Sequence, residues 1–233
     1  IDRGETKYTA VDGIAELKAA VAGVVNQGLN LADLNQRNFP LPGVSPKLTS
    51  VREQVIDGRG FALLRGVPVQ EWSVRESAIA FLGIGSYFGN ARSQNGKGHL
   101  LGHVCDLGRD AQNDPTARIY QTRERQTFHT DSCDIVSLLC LKTAKSGGAS
   151  ALVSSATIYN EMLARRPDLL PVLFEPMQTD RRGEVPDGEN PWHEVPVFSW
   201  HQGFLSALYA RRYIESARRF EQVPALTPIQ TEA

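Results

Sequence analysis

A mainly β fold with flanking helices, built on a jelly-roll core, is the class this sequence predicts. Three observations carry that reading. Short apolar runs at 61–67, 99–105, 117–121 and 135–144 have the composition of strands. Turn signals containing Gly, Pro and Asn separate them. Only a few segments carry helical spacing with caps, which suits helices packed around a β core better than a bundle. At 233 residues with 41% hydrophobic content, the chain is ample for one domain with a sizeable core. No repeat, low-complexity segment or interdomain linker divides it, so 1–233 reads as a single domain with 1–45 as a peripheral N-terminal region.

In chain order, 13–25 predicts a short helix, with Ile14, Leu17, Val21, Val24 and Val25 as its apolar positions. A Pro- and Asn-rich loop follows over 35–46. Ser45-Pro46 supplies a cap and a first-turn proline for a second helix ending near Gly58 and Gly60. The strand at 61–67 closes at Pro68, and Trp72-Ser73 opens a helix that includes Ile79, Leu82 and Ile84 and is broken by Gly83, Gly85 and Gly89. Residues 89–98 form a loop, and a charged loop at 106–115 separates the strands at 99–105 and 117–121. After the strand at 135–144, a turn over 145–148 leads to another short strand near Ser150. Residues 154–166 predict a helix ended by Pro167, and 169–174 is a further apolar stretch. The segment 180–192 reads as a long loop. Strands at 195–200 and 204–210 flank His201-Gln202-Gly203 as a hairpin, and 213–220 reads as a helix.

A net charge of −1 and a pI near 6.6 give no electrostatic reason to expect nucleic acid or an anionic membrane as partner. Cys105, Cys133 and Cys140 are an odd, sparse set without metal-finger spacing, which points to a reducing compartment, the cytoplasm. No run is long or apolar enough to span a bilayer.

The chemistry concentrates at 126–150. His129 and Asp131 are two apart, and on extended backbone side chains at i and i+2 share a face. An imidazole and a carboxylate so placed are two-thirds of a facial triad, the two-His-one-carboxylate arrangement that holds ferrous iron with open positions. Among the other candidates, His99 and His103 read as core or pocket-lining, and His193 and His201 as solvated. Cys133 reads as a buried thiol, and the arginine pairs at 181/182 and 211/212 as surface ion pairs.

The block Phe128-His129-Thr130-Asp131, a strand, Gly147-Gly148 and Ser150, then a helix, resembles the Fe(II)/2-oxoglutarate-dependent dioxygenases of the taurine dioxygenase (TauD/TfdA-like) family. The likeness continues through Asp180 to Glu184, Pro196 to Phe198 and Tyr209 to Ile214, covering the second half of the chain well and the first half loosely. The resemblance implies a double-stranded β-helix core. It also implies Fe(II) held by His129 and Asp131, and Ser150 hydrogen-bonding 2-oxoglutarate in place of the family's commoner Thr. The implied partners are a small organic substrate and O2, with a homo-oligomer allowed. The reaction would hydroxylate or desaturate that substrate with release of succinate and CO2. Two other classes stay open: a zinc-dependent hydrolase on the same His/Asp pair, and a catalytically silent binding protein on the same fold. Thr227-Pro228 reads as a helix start just before Ala233. With the family pattern, it sets the expectation that the chain is incomplete at its C-terminus. The third metal ligand, a His, and an Arg for 2-oxoglutarate are then expected beyond Ala233.

Overall fold

The computed structural model describes residues 13–110, 113–114 and 117–233. The first twelve residues of the peripheral region and part of the 106–115 loop therefore lie outside the described residues. Two compact units emerge: one from the residues up to 94 with 98–101 and 134–149, the other from 95–97, 102–133 and 150–233.

The first unit is helical at its core. Helix α1 (Ile14–Gln27) buries Leu17, Ala20, Val21 and Val24, one stripe at three- and four-residue spacing. It ends where Gly28 turns left-handed at φ 63° and the Leu29 N–H reaches back to the Val24 carbonyl (3.3 Å). Helix α2 (Ser45–Ile56) has its proline in the first turn as expected. Its cap differs, because the helix begins one residue early: Val44 is the N-cap and the Ser45 hydroxyl turns to the Pro42 carbonyl instead (3.4 Å). Helix α3 (Val74–Gly85) carries a complete capping box, Ser73 accepting from the Glu76 N–H and Glu76 accepting from the Ser73 N–H. It runs through Gly83 rather than breaking there. A Cβ on Gly83 would meet the ring of Phe39 at 2.4 Å, so the glycine is what lets the fully buried Phe39 lie against the helix. Tyr87 completes the core by donating its hydroxyl to the Phe39 carbonyl (3.0 Å) while accepting from the Leu41 N–H (2.8 Å).

The second unit packs helices on two β-hairpins. Helix α4 (Ser155–Arg165) starts at a Ser154 cap, whose hydroxyl accepts from the Thr157 N–H. Helix α5 (Leu170–Leu173) buries Leu170, Val172 and Leu173. Strand β1 (Met177–Asp180) pairs antiparallel with β2 (Trp192–Val195), from Met177 opposite Val195 to Asp180 opposite Trp192. Strands β3 (Phe198–His201) and β4 (Phe204–Ala207) form the expected hairpin around Gln202-Gly203, both at positive φ (50° and 84°), the conformation a tight two-residue turn requires. Helix α6 (Arg211–Ser216) packs on β1, and α7 (Pro228–Glu232) starts from Thr227, with Gln230 completing the box. Leu170, Val172, Leu173, Met177, Val197, Phe198 and Ile214 make the core here, with Tyr159 edge-on to Phe174 and Phe198.

The β content differs from expectation. Among the described residues the strands form two separate two-stranded sheets, and 61–67, 99–105, 117–121 and 135–144 join no strand ladder. Phe61, Leu63, Val136 and Leu138 are exposed there. Apolar composition marks a segment able to be a strand, but a ladder also needs successive backbone partners in register, and the pairing here stays isolated: a single bridge at Arg65, and the Cys105 N–H donating to the Tyr120 carbonyl (3.0 Å). Helices and short strands are what the structure shares with the expected class. Among the described residues no helix is long and apolar enough to cross a membrane.

Candidate metal centre

The two sequence candidates lie on an irregular segment of the second unit, His129 and Asp131 both exposed with half-buried Thr130 between them. His129 is oriented locally. Its Nδ1 is 2.8 Å from the Thr127 carbonyl, an acceptor, so Nδ1 carries the proton. Its Nε2 is 2.9 Å from the Gln126 side-chain nitrogen, a donor, so Nε2 presents its lone pair. Both contacts select one tautomer, with the proton on Nδ1 and the Nε2 lone pair accepting from Gln126, a contact a metal would replace; a backbone carbonyl on the far nitrogen is the usual outer support of a metal-binding histidine. No hydrogen bond or ion pair among the described residues engages the Asp131 carboxylate. A basic nitrogen and an unengaged carboxylate are a donor pair suited to Fe(II), and equally to Zn(II). Among the described residues, no group of three His, Cys, Asp or Glu side chains gathers to complete such a site.

Ser150 stands in an exposed segment ahead of α4, and no hydrogen bond joins it to His129 or Asp131. The glycines before it have left-handed backbone, Gly147 at φ 70° and Gly148 at φ 72°, and a Cβ at Gly148 would lie 2.9 Å from the Ala144 methyl. Only glycine fits that turn without strain.

The remaining candidates resolve differently from expectation. His99, His103 and Cys133 are exposed rather than buried, and His201 is exposed as expected. His193 is half-buried on β2, and its Nδ1 is buried with no hydrogen-bond partner. Burial, with Arg181 nearby adding repulsion, pushes its pKa below the ordinary imidazole value. Its neutral form is therefore favoured by folding, and the unfolded chain takes up the proton first as pH falls. Stability is expected to decline as pH is lowered through the ordinary imidazole range and down to the depressed folded value. His193→Gln should flatten that slope in urea denaturation series run across the range; an unchanged slope would remove His193 as its source.

Sequence reasoning missed the polar hub of this unit. Asp180 has a fully buried carboxylate that accepts from the Arg182 N–H (2.8 Å), the Ser216 hydroxyl (2.8 Å) and Arg219 Nη2 (3.2 Å). Arg182, expected at the surface, is buried at 5% exposure in left-handed backbone (φ 56°), donating to the Ala117 carbonyl (2.7 Å). Burial pushes its pKa down, and the Asp180 charge opposes that shift. The guanidiniums of Arg182 and Arg118 each lie 5.5 Å from the centre of the Tyr213 ring, and Arg118 also binds the Tyr213 hydroxyl (2.7 Å) and Glu184 (2.9 Å). Arg181, Arg211 and Arg212 do make the expected ion pairs, with Glu189, Glu215 and Glu124. The run of charges at 180–184 was the available signal, but charge runs usually mark solvated loops.

A family model described as taurine catabolism dioxygenase TauD, TfdA family, matches residues 27–233. The FR-33289 synthase of Streptomyces rubellomurinus (strain ATCC 31215) is 36% identical over 212 residues, which are 91% of this chain and 62% of that protein. The taurine hydroxylase-like protein SAT17 of Stachybotrys chartarum (strain CBS 109288 / IBT 7711) is 36% identical over 224 residues, 93% of this chain and 57% of that protein. The chain thus spans less than two thirds of the length of either relative.

Proposed function

Because the chain belongs to the TauD/TfdA family of dioxygenases, we propose that it is an Fe(II)- and 2-oxoglutarate-dependent oxygenase that hydroxylates or desaturates a small organic substrate. We take 1–233 as one dioxygenase-like domain with the double-stranded β-helix core the family implies. His129 through Nε2 and Asp131 through its carboxylate would hold the iron, and Ser150 would hydrogen-bond 2-oxoglutarate. The observation that carries this reading is the Thr127 carbonyl on His129 Nδ1, which leaves Nε2 as the nitrogen a metal could take in exchange for Gln126. When bound, iron and 2-oxoglutarate supply the oxygen activation, with release of succinate and CO2.

The protein's own residues do the arranging. Thr127 holds the proton on Nδ1, which assigns Nε2 as the ligating nitrogen of His129. Asp131 brings a negative charge that partly neutralises a divalent cation and favours hard, oxygen-preferring metals. The left-handed Gly147-Gly148 turn carries the chain to Ser150 without a side chain to obstruct an approaching ligand. The relatives differ in printed activity, a synthase and a taurine hydroxylase-like protein, so the substrate stays at the level of a small organic molecule.

Succinate formation by the full-length protein, measured against a metabolite panel with added Fe(II), tests the proposal. Succinate that depends on both iron and 2-oxoglutarate supports it. Hydrolysis supported by tightly held zinc, without succinate, would replace it with the metal-hydrolase reading. Ser150→Ala is expected to raise KM for 2-oxoglutarate by the equivalent of about 0.5–1.5 kcal/mol, one hydrogen bond, with Ser150→Thr tolerated. An unchanged KM in the alanine variant would remove Ser150 from the site.

A further inference from the structure

The residue between the two metal-ligand candidates is the one that anchors them. The Thr130 N–H donates to the Tyr209 carbonyl at 2.8 Å, and the Tyr209 N–H donates to Thr130 Oγ1 at 2.7 Å. The pair is reciprocal, like one rung of an antiparallel ladder, except that a threonine hydroxyl stands where a backbone carbonyl would be. It joins residues 79 apart in sequence. His129, by contrast, bonds only within its own segment, to Gln126 and Thr127. Among the described residues, the two Thr130–Tyr209 bonds are the only hydrogen bonds that tie 126–131 to anything outside it.

What Thr130 grips is firm. Tyr209 sits between the end of β4 and the start of α6. The Leu208 N–H donates to the Val197 carbonyl at 2.9 Å, which carries the hairpin up to this point, and α6 is pinned by the buried Ile214. Arg212, in the first turn of α6, makes a nearby second tie to Glu124. Thr130 is half-buried while its neighbours His129 and Asp131 are exposed, as befits the residue that makes the tertiary contact. Metal sites lose affinity when their ligands are left to find their own geometry.

We propose that Thr130 is a positioning residue: its amide and hydroxyl dock the His129/Asp131 segment on the β4–α6 connection and thereby preorganise the pair for a divalent metal. This rests on the metal reading proposed above. Thr130→Val keeps the shape and removes the oxygen, stranding the Tyr209 N–H, while Thr130→Ser keeps the oxygen.

The test uses full-length protein and Co(II) as the metal probe, read by its absorption, together with hydrogen exchange at the Tyr209 amide. Thr130→Val is expected to weaken Co(II) binding by roughly 10–100-fold, the range for outer-shell support, and to accelerate Tyr209 exchange. Thr130→Ser should restore both. Should the valine variant not fold, Thr130→Ala makes the same comparison. Co(II) affinity unchanged in the valine or alanine variant, while Tyr209 exchange accelerates and His129→Ala abolishes binding, overturns the positioning role alone. Unchanged affinity in His129→Ala overturns the metal reading, and the proposal with it.

Discussion

Asp180→Ala is expected to lower the unfolding free energy by about 3–5 kcal/mol, the range for removing one partner of a buried charged network. Three donors lose their acceptor at once: the Arg182 N–H, the Ser216 hydroxyl and the Arg219 guanidinium. The carboxylate itself has no solvent exposure, so no water replaces it without rearrangement. The loss also reaches the backbone. The Asp180 to Arg182 N–H contact spans two residues and supports a non-glycine residue at φ 56°, a conformation that costs energy unless its surroundings hold it. Asp180→Asn should fall between wild type and alanine, because it keeps an acceptor for Arg182 and loses the charge facing Arg219. Arg219→Ala should cost least, since that side chain is 33% exposed and its share of the pair is screened. Equilibrium denaturation of the three variants checks the order. An alanine variant within about 0.5 kcal/mol of wild type, the range of ordinary surface changes, would show that the hub is dispensable.

His129→Ala and Asp131→Ala are each expected to lower divalent metal affinity by more than about 100-fold, beyond the range for outer-shell changes. Both side chains are exposed, and His129 bonds only to neighbours in sequence. Their removal should therefore leave circular dichroism and the melting temperature close to wild type. That separation is the diagnostic part: a ligand can be deleted without structural cost, whereas a core residue cannot. Metal analysis of protein purified with Fe(II) gives the answer. Undiminished iron in both variants, with the fold intact, would place the metal elsewhere or nowhere. Loss of iron from one variant alone would keep that residue and discard the other.

The helices with strong local chemistry were legible from sequence. Ser73 with Glu76, Ser154 ahead of α4 and Thr227 ahead of α7 all satisfy the first turn of a helix from within a few residues, so their signal survives without tertiary context. The Gln202-Gly203 turn is legible for the same reason. Strand β1 was not, because Met177–Asp180 becomes a strand only beside Trp192–Val195, across a charged, Gly- and Pro-rich loop. The apolar run at 135–144 shows the reverse error: strand composition without a strand partner.

At the candidate site, the chemistry on offer, an imidazole and a carboxylate two residues apart, follows from residue identity alone, because ligand type is a property of the residue. The turn at 145–148 is legible in the same way, and its two glycines permit the left-handed backbone found there. What holds these groups in place comes from long-range contacts. Thr130 meets Tyr209 across 79 residues, and Asp180 meets Ser216 and Arg219 across 36 and 39. A hydroxyl or carboxylate in sequence names its capacity to bond, and long-range packing alone selects the partner.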